Sequence, residues 1–247
     1  MQHPVVTSRD EWIKAQQAHM KNEKALTYLR ERMAAERRAL PWLKIDKTYT
    51  FDTPTGPRTL ADLFDGRSQL IVHHLMYHPD WDEACVGCTF QADHIDGPRP
   101  HLEHHDVRIV AVSRAPLDKL QAYKRRLGWQ FDWVSSHGSD FNYDFNVSFT
   151  PDQIASGRID YNFGTIDVDP RYMSEELPGI SVFAKDASGA VHLVQSIYAR
   201  GLDLLLGTSH YFDITPKGRD QSGNLDWLKR RDTYDAASAD KACCHGA

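Results

Sequence analysis

One pair of cysteines in a defined local context constrains this chain more than any other feature. Cys85 and Cys88 are separated by two residues and follow closely on a strand-length apolar segment. Residues 69–77, rich in Leu, Ile and Val, predict a buried strand, and residues 88–95 predict the helix that follows. Two cysteines at the start of a helix can close a disulfide across one turn, and the free N–H groups there favour a thiolate. The pattern therefore predicts a redox-capable dithiol on a strand–loop–helix unit.

The order of the remaining elements indicates an α/β fold with a mixed central sheet flanked by helices. The later segments predict a strand, a helix, a proline-led strand, a turn and a return strand, at residues 107–112, 116–127, 178–183, 186–189 and 191–197. Such an order fits the thioredoxin-like fold, in which a cis-proline precedes the third core strand and lies opposite the reactive cysteine. Pro178 occupies that place in the order, so we expect a cis peptide bond before it. A last short helix is predicted at residues 225–234.

A long N-terminal helix is predicted at residues 8–40, where Ser8 and Glu11 form a capping box and Pro41 follows the helix. We therefore expect an N-terminal helical extension at 1–41, a thioredoxin-like domain at 42–235 and a flexible C-terminal tail at 236–247. The broken apolar stripe on the helix suits packing against a domain or a second subunit, so a homodimer is one expectation.

Composition excludes several partners. The formal net charge is −5, so no basic field favours nucleic acid or an anionic membrane surface. No apolar stretch approaches the ~20 residues that a membrane helix requires, and the first residues lack a secretory pattern. These features predict a cytoplasmic protein, whose four cysteines form two close pairs rather than a structural disulfide framework.

The leading interpretation is a thiol–disulfide oxidoreductase that requires no cofactor. Cys85, at the helix start, would be the attacking thiolate, Cys88 the resolving thiol, and Pro178 would shape the groove for a thiol or disulfide substrate or reductant. The acidic side chains of Asp80, Asp82 and Glu83 precede Cys85, and their charge is expected to disfavour its thiolate.

Two alternatives remain open from the residues. Cys85, Cys88 and His74 could bind copper(I) or zinc, because soft thiolates and an imidazole suit these metals. Since His73 and His74 point to opposite faces of a strand, at most one of them can face the cysteines. The second alternative is a non-catalytic binding module that only keeps the fold. A vicinal pair near the end of the chain, Cys243 and Cys244, suits metal binding or the resolution of a disulfide in trans.

Several segments of the chain resemble a bacterial family known as DUF899, a domain of unknown function with a thioredoxin-like fold. They lie at residues 79–97, 110–129, 135–150, 177–183, 198–208 and 226–234. The resemblance covers most of the chain and implies the fold without naming an activity. There is also a distant likeness to peroxiredoxins: Pro79 precedes Cys85 by six residues, but Asp82 stands where those enzymes carry a Thr or Ser hydroxyl.

Overall fold

The computed structural model describes residues 7–219 and 227–234, and its contacts divide the chain into two units, 1–42 and 43–247. The first unit contains helix α1 (Arg9–Arg38). Ser8 and Glu11 cap its start reciprocally, side chain to backbone in both directions, and Ala39 ends it. The predicted helix and its capping box are thus confirmed. None of the residues of α1 is buried.

The second unit carries the sheet and the shorter helices. Its strands are β1 (Leu43–Lys44), β2 (Thr50–Phe51), β3 (Arg58–Thr59), β4 (Gln69–His74), β5 (Val107–Ser113), β6 (Asp132–Ser135), β7 (Arg158–Tyr161), β8 (Gly164–Asp167), β9 (Gly179–Lys185) and β10 (Val191–Tyr198). Its α-helices are α2 (Val86–Ala92), α3 (Arg99–His104), α4 (Leu117–Leu127), α5 (Phe141–Asp144), α6 (Pro151–Ser156) and α7 (Gly207–Asp213). Short 3-10 turns lie at Asp62–Phe64, Pro170–Tyr172, Ala199–Leu205 and Arg231–Thr233.

The central sheet has the strand order β1-β10-β9-β4-β5-β6. Strands β4, β5 and β6 run parallel, whereas β9 is antiparallel to β4 and β10 is antiparallel to β9. The thioredoxin-like arrangement has a parallel pair of strands joined through helices, here β4 and β5, followed by an antiparallel hairpin, here β9 and β10, in the order β10-β9-β4-β5. The predicted fold class is therefore confirmed, with β4 at the centre and the dithiol segment directly after it.

Two apolar layers cover the two faces of this sheet, because successive side chains of a strand point to opposite sides. Val110 and Val112 of β5 belong to one buried cluster, which also contains Phe141 and Phe183. Ile109 and Ala111, one position earlier in each case, belong to the other. This second cluster includes Leu75, Leu120, Trp133 and Cys88, so the dithiol lies on the α2 and α4 side of the sheet.

Some predicted elements differ from the structure. Strand β6 lies in the aromatic segment at residues 129–149, for which no strand was expected, and the β7–β8 ribbon was also not predicted. The helix predicted at 225–234 is wrong for residues 227–230, which form no helix; only the turn Arg231–Thr233 follows them. Tertiary contacts explain this, since Trp227 packs edge-on against Phe90 and Phe212 rather than continuing a helical turn.

Within the described ranges, no helix combines the length and the apolar character needed to cross a bilayer.

Candidate dithiol site

The loop between β4 and Cys85 is fastened to neighbouring backbone at both ends. The Leu75 N–H donates to the Val112 carbonyl at 3.0 Å, which continues the pairing with β5 beyond the regular strand. The Cys85 N–H donates to the Met76 carbonyl at 3.0 Å, so the chain returns to the end of β4 before α2 begins. Because the loop closes on itself in this way, Cys85 is held at a fixed point beside the carboxyl end of the central strand.

The two cysteines differ in exposure. Cys85 caps α2 with an extended backbone and is half-buried, and its carbonyl accepts the Thr89 N–H at 2.9 Å. Cys88, inside the first turn, is only 3% exposed and packs into the apolar layer. Both cysteines are free thiols in this structure. The arrangement gives one sulfur that a reactant can approach and a second that only its neighbour can reach.

The electrostatics of the pair are also asymmetric. A hydrogen bond from the Cys88 thiol lowers the pKa of Cys85 to about 6, aided by the backbone N–H groups of Cys88 and Gly87 and by the charge of Arg230. Burial opposes this shift but does not outweigh it. Donating that same hydrogen bond, together with complete burial, raises the pKa of Cys88 well above its ordinary value. The proton therefore stays on Cys88 while Cys85 ionises.

The negative charge of the loop that precedes Cys85 is largely neutralised or exposed to solvent. The Glu83 carboxylate pairs with Arg230 at 2.7 Å and also with Arg126. Asp80 points into solvent, with 91% of its side chain exposed. The sequence predicts that these carboxylates disfavour a thiolate, but the pKa of Cys85 is lowered, mainly by the hydrogen bond from the Cys88 thiol, and the nearest of the carboxylates, Glu83, is paired with two arginines.

Pro178 lies immediately before β9, as predicted, but the expected cis bond is wrong. No peptide bond among the described residues is cis, so the bond preceding Pro178 is trans. The trans isomer is favoured by about 0.5–1 kcal/mol for prolines in general, and it is fixed here by hydrogen bonds on both sides. Leu177 donates its N–H to the Val147 carbonyl at 2.9 Å, and the Tyr161 hydroxyl donates to the Pro178 carbonyl at 2.7 Å. That Pro178 shapes a substrate groove stays a prediction.

The structure does not bring His74 to the cysteines. Its ring stacks on Phe141 and Phe145, at centroid distances of 5.5 Å and 5.9 Å, in the layer opposite Cys88. Its Nε2 atom lies 2.8 Å from the Ser181 hydroxyl. Across residues 7–219 and 227–234, no group of three or more His, Cys, Asp or Glu side chains could hold a metal ion. The three-ligand set of Cys85, Cys88 and His74 is therefore not assembled.

A buried carboxylate near the dithiol was not foreseen from the sequence. Glu176 is 2% exposed, accepts a hydrogen bond from the Ser148 hydroxyl at 2.6 Å and pairs with Arg114 at 2.9 Å. Burial raises its pKa to about 7 against the opposing effect of these two partners, and its charge contributes to the raised pKa of Cys88. No local pattern marks Glu176, because its partners come from distant parts of the chain. The other predicted candidates, Cys243 and Cys244, lie outside the described residues.

No functionally curated protein matches the sequence. Among solved structures, the chain is similar to the bacterioferritin comigratory protein of Xanthomonas campestris, whose reported structures concern alkyl peroxide reduction. The identity is 14% over 70% of this chain and 96% of that one, with a TM-score of 0.44. The peroxidoxin BcpB of Mycobacterium tuberculosis is 15% identical over 67% of this chain and 96% of its own, with a TM-score of 0.42.

A putative protein disulfide isomerase of Bacteroides thetaiotaomicron is 14% identical over 69% of this chain and 91% of its own, with a TM-score of 0.38. At the level of sequence families, residues 1–234 match the family described as "Bacterial protein of unknown function (DUF899)". This match spans nearly the whole chain and confirms the resemblance drawn from its motifs. The chain belongs to the DUF899 family of bacterial proteins.

Proposed function

We propose that this protein is a thiol–disulfide oxidoreductase that uses Cys85 and Cys88 as a redox dithiol. One observation carries the proposal: a half-buried thiol of lowered pKa lies directly beside a buried thiol of raised pKa. With a pKa of about 6, Cys85 is roughly 90% thiolate at pH 7, whereas an ordinary cysteine is ionised to only a few per cent. Cys85 is thus poised as the nucleophile and Cys88 as the group that acts second.

The reaction proceeds in two balanced steps. The Cys85 thiolate attacks one sulfur of a substrate disulfide, forms a mixed disulfide with it and releases the other substrate sulfur as a thiolate. Cys88 then gives its proton to the released substrate thiolate or to solvent, and its own thiolate attacks the Cys85 sulfur, so that the Cys85–Cys88 disulfide forms and the second substrate thiolate leaves. The substrate disulfide gains two electrons and the protein dithiol loses them. A dithiol reductant reverses these steps and regenerates the enzyme.

We place this reaction in a reducing compartment, the cytoplasm, where both cysteines rest in the reduced state. The substrate class is a disulfide that can approach Cys85, either on another protein or as a small molecule. The buried Cys88 is shielded from direct attack, which limits side reactions of the resolving thiol.

Trapping with oxidised glutathione tests the proposal. All proteins carry Cys243→Ser and Cys244→Ser, so that only the dithiol can react. Cys88→Ser is expected to accumulate a stable mixed disulfide with one glutathionyl group on Cys85, because no second thiol resolves it. The parent is expected to form the internal disulfide and release glutathione, and Cys85→Ser to form neither product. Intact mass and peptide mass measure all three.

Two results would contradict the proposal. In the first, Cys85→Ser reacts with oxidised glutathione as fast as the parent. In the second, no variant reacts at all, which would favour a non-catalytic binding module.

A further inference from the structure

The described end of the chain lies against the dithiol segment and is anchored there by several side chains. Trp227 packs edge-on against Phe90 of α2, with ring centroids 6.0 Å apart. Asp232 pairs with Arg126 of α4 at 2.6 Å. Trp227 and Asp232 thus anchor this segment on both sides of Arg230. The position of Arg230 is therefore set by its neighbours rather than by its own flexible side chain.

Arg230 uses each of its guanidinium nitrogens on a different partner. Nε donates to the Tyr123 hydroxyl at 2.7 Å, Nη2 donates to the Ala84 carbonyl at 2.7 Å, and Nη1 pairs with the Glu83 carboxylate at 2.7 Å. Only a planar fork can satisfy three such partners at once. Ala84 immediately precedes Cys85, so one of these bonds grips the backbone that leads into the dithiol.

We propose that Arg230 is a positioning residue for the dithiol: it holds the Ala84 carbonyl and carries the positive charge that stabilises the Cys85 thiolate. The side chain is 21% exposed, so its charge is only partly screened by water. In the mechanism proposed above, on which this inference rests, Arg230 raises the fraction of Cys85 that is ready to attack. It touches neither sulfur of the substrate and acts through Cys85.

Other charged and titratable groups lie around the dithiol or around Arg230, and the test must separate their effects from that of Arg230. These groups are Cys88 on α2, Glu83 and Tyr77 in the preceding loop, Tyr123 and Arg126 on α4, Tyr161 on β7, and Glu176 in the segment before β9. Glu176 and Tyr161 interact with Cys88. Arg126 is the natural control, because it pairs with the same Glu83 carboxylate but makes no contact with Ala84.

The test measures the rate at which Cys85 is alkylated by iodoacetamide as a function of pH. All proteins carry Cys243→Ser and Cys244→Ser, and peptide mass identifies the labelled cysteine. Arg230→Gln is expected to raise the midpoint of the pH profile by roughly 0.5 to 1 unit. At pH 6 this is a roughly two- to fivefold loss of rate. Arg230→Lys, which keeps a charge but not the fork, is expected to raise the midpoint by less. Arg126→Gln is expected to raise it by less than Arg230→Gln does, because Arg126 reaches the dithiol only indirectly, through Glu83 and Asp232.

An unchanged midpoint in Arg230→Gln would overturn the inference, and so would an equal shift in Arg126→Gln, since the effect would then act through Glu83. If Arg230→Gln does not fold, the comparison of Arg230→Lys with Arg126→Lys decides. A midpoint that rises only in Arg230→Lys supports the inference, and one that rises in neither overturns it. Alkylation needs no disulfide substrate, so failure of this inference is distinguishable from failure of the proposed reaction with oxidised glutathione.

Discussion

His73 lies in the central strand with its side chain excluded from solvent, at 1% exposure. Neither of its ring nitrogens has a hydrogen-bond partner within the described part of the chain. Burial lowers the pKa of His73 to about 4. A buried polar group without a partner costs about 1–3 kcal/mol, and leucine has nearly the same volume without any polar atom. We therefore expect His73→Leu to increase the free energy of unfolding at neutral pH.

The effect is expected to grow in acid. As the pH falls below about 6.5, the unfolded chain binds a proton on His73, but the folded chain does not until the pH reaches about 4. The unfolded state thus binds more protons in this window, and the wild-type protein loses stability as the pH falls through it. A shift of this size corresponds to about 3 kcal/mol. His73→Leu removes that loss, while His74, whose pKa burial lowers to about 3, continues to contribute in both proteins.

Urea unfolding at several pH values between 7.5 and 4.5 measures the difference. His73→Leu is expected to exceed the wild type by about 1–3 kcal/mol at pH 7.5 and by about 3 kcal/mol more at pH 4.5. His104→Leu, which removes an exposed imidazole from α3, is the matched control and should retain the wild-type pH dependence. A stability difference between His73→Leu and wild type that stays constant with pH would refute the reasoning, because His73 would then titrate alike in the folded and unfolded chains.

Three further predictions concern the dithiol and its surroundings. Burial raises the pKa of Glu176 to about 7, so the folded chain keeps a proton that the unfolded chain releases above pH ~4.5, and stability falls as the pH rises through this window. Glu176→Gln should remove that fall, which is worth about 3 kcal/mol between pH 5 and 8 in urea unfolding. If the free energy of unfolding depended on pH in the same way in the variant and the wild type, the prediction would be contradicted. Trp227→Ala should lower the free energy of unfolding by about 1–3 kcal/mol, since it uncovers Phe90 and Phe212; an unchanged urea midpoint would show that these contacts do not form. A Cys85 thiolate of pKa about 6 stabilises the reduced protein, so its reduction potential in glutathione buffers should be less negative than the approximately −270 mV of thioredoxin, and a more negative value would count against the low pKa.

Local sequence patterns predicted the parts of the fold that depend on neighbouring residues. The capping box of α1, the apolar runs of β4 and β5, and the β9–β10 hairpin with its turn residues all follow from short-range rules. Strand β6 was not predicted although Trp129, Phe131 and Trp133 alternate with polar residues, because this alternation breaks at Val134 and the two serines that follow it are also buried.

The candidate site was only half predictable for a related reason. The spacing of Cys85 and Cys88 marked the dithiol, but Arg230 reaches Ala84 across 146 positions of the chain. No local pattern encodes such a contact. Strand alternation showed that His73 and His74 could not both face the cysteines, yet it could not decide which layer each one enters. The isomer before Pro178 likewise depends on long-range partners, such as the Tyr161 hydroxyl.

Redox titration of the purified protein tests the central claim most directly. The protein, with Cys243→Ser and Cys244→Ser, is equilibrated in buffers of reduced and oxidised glutathione, its free thiols are alkylated, and mass and bound metal are measured on the same samples. The account predicts one two-electron transition in which Cys85 and Cys88 lose both alkylatable thiols together. It would be contradicted if both thiols stayed alkylatable at every ratio, or if a stoichiometric metal protected them from alkylation and oxidation.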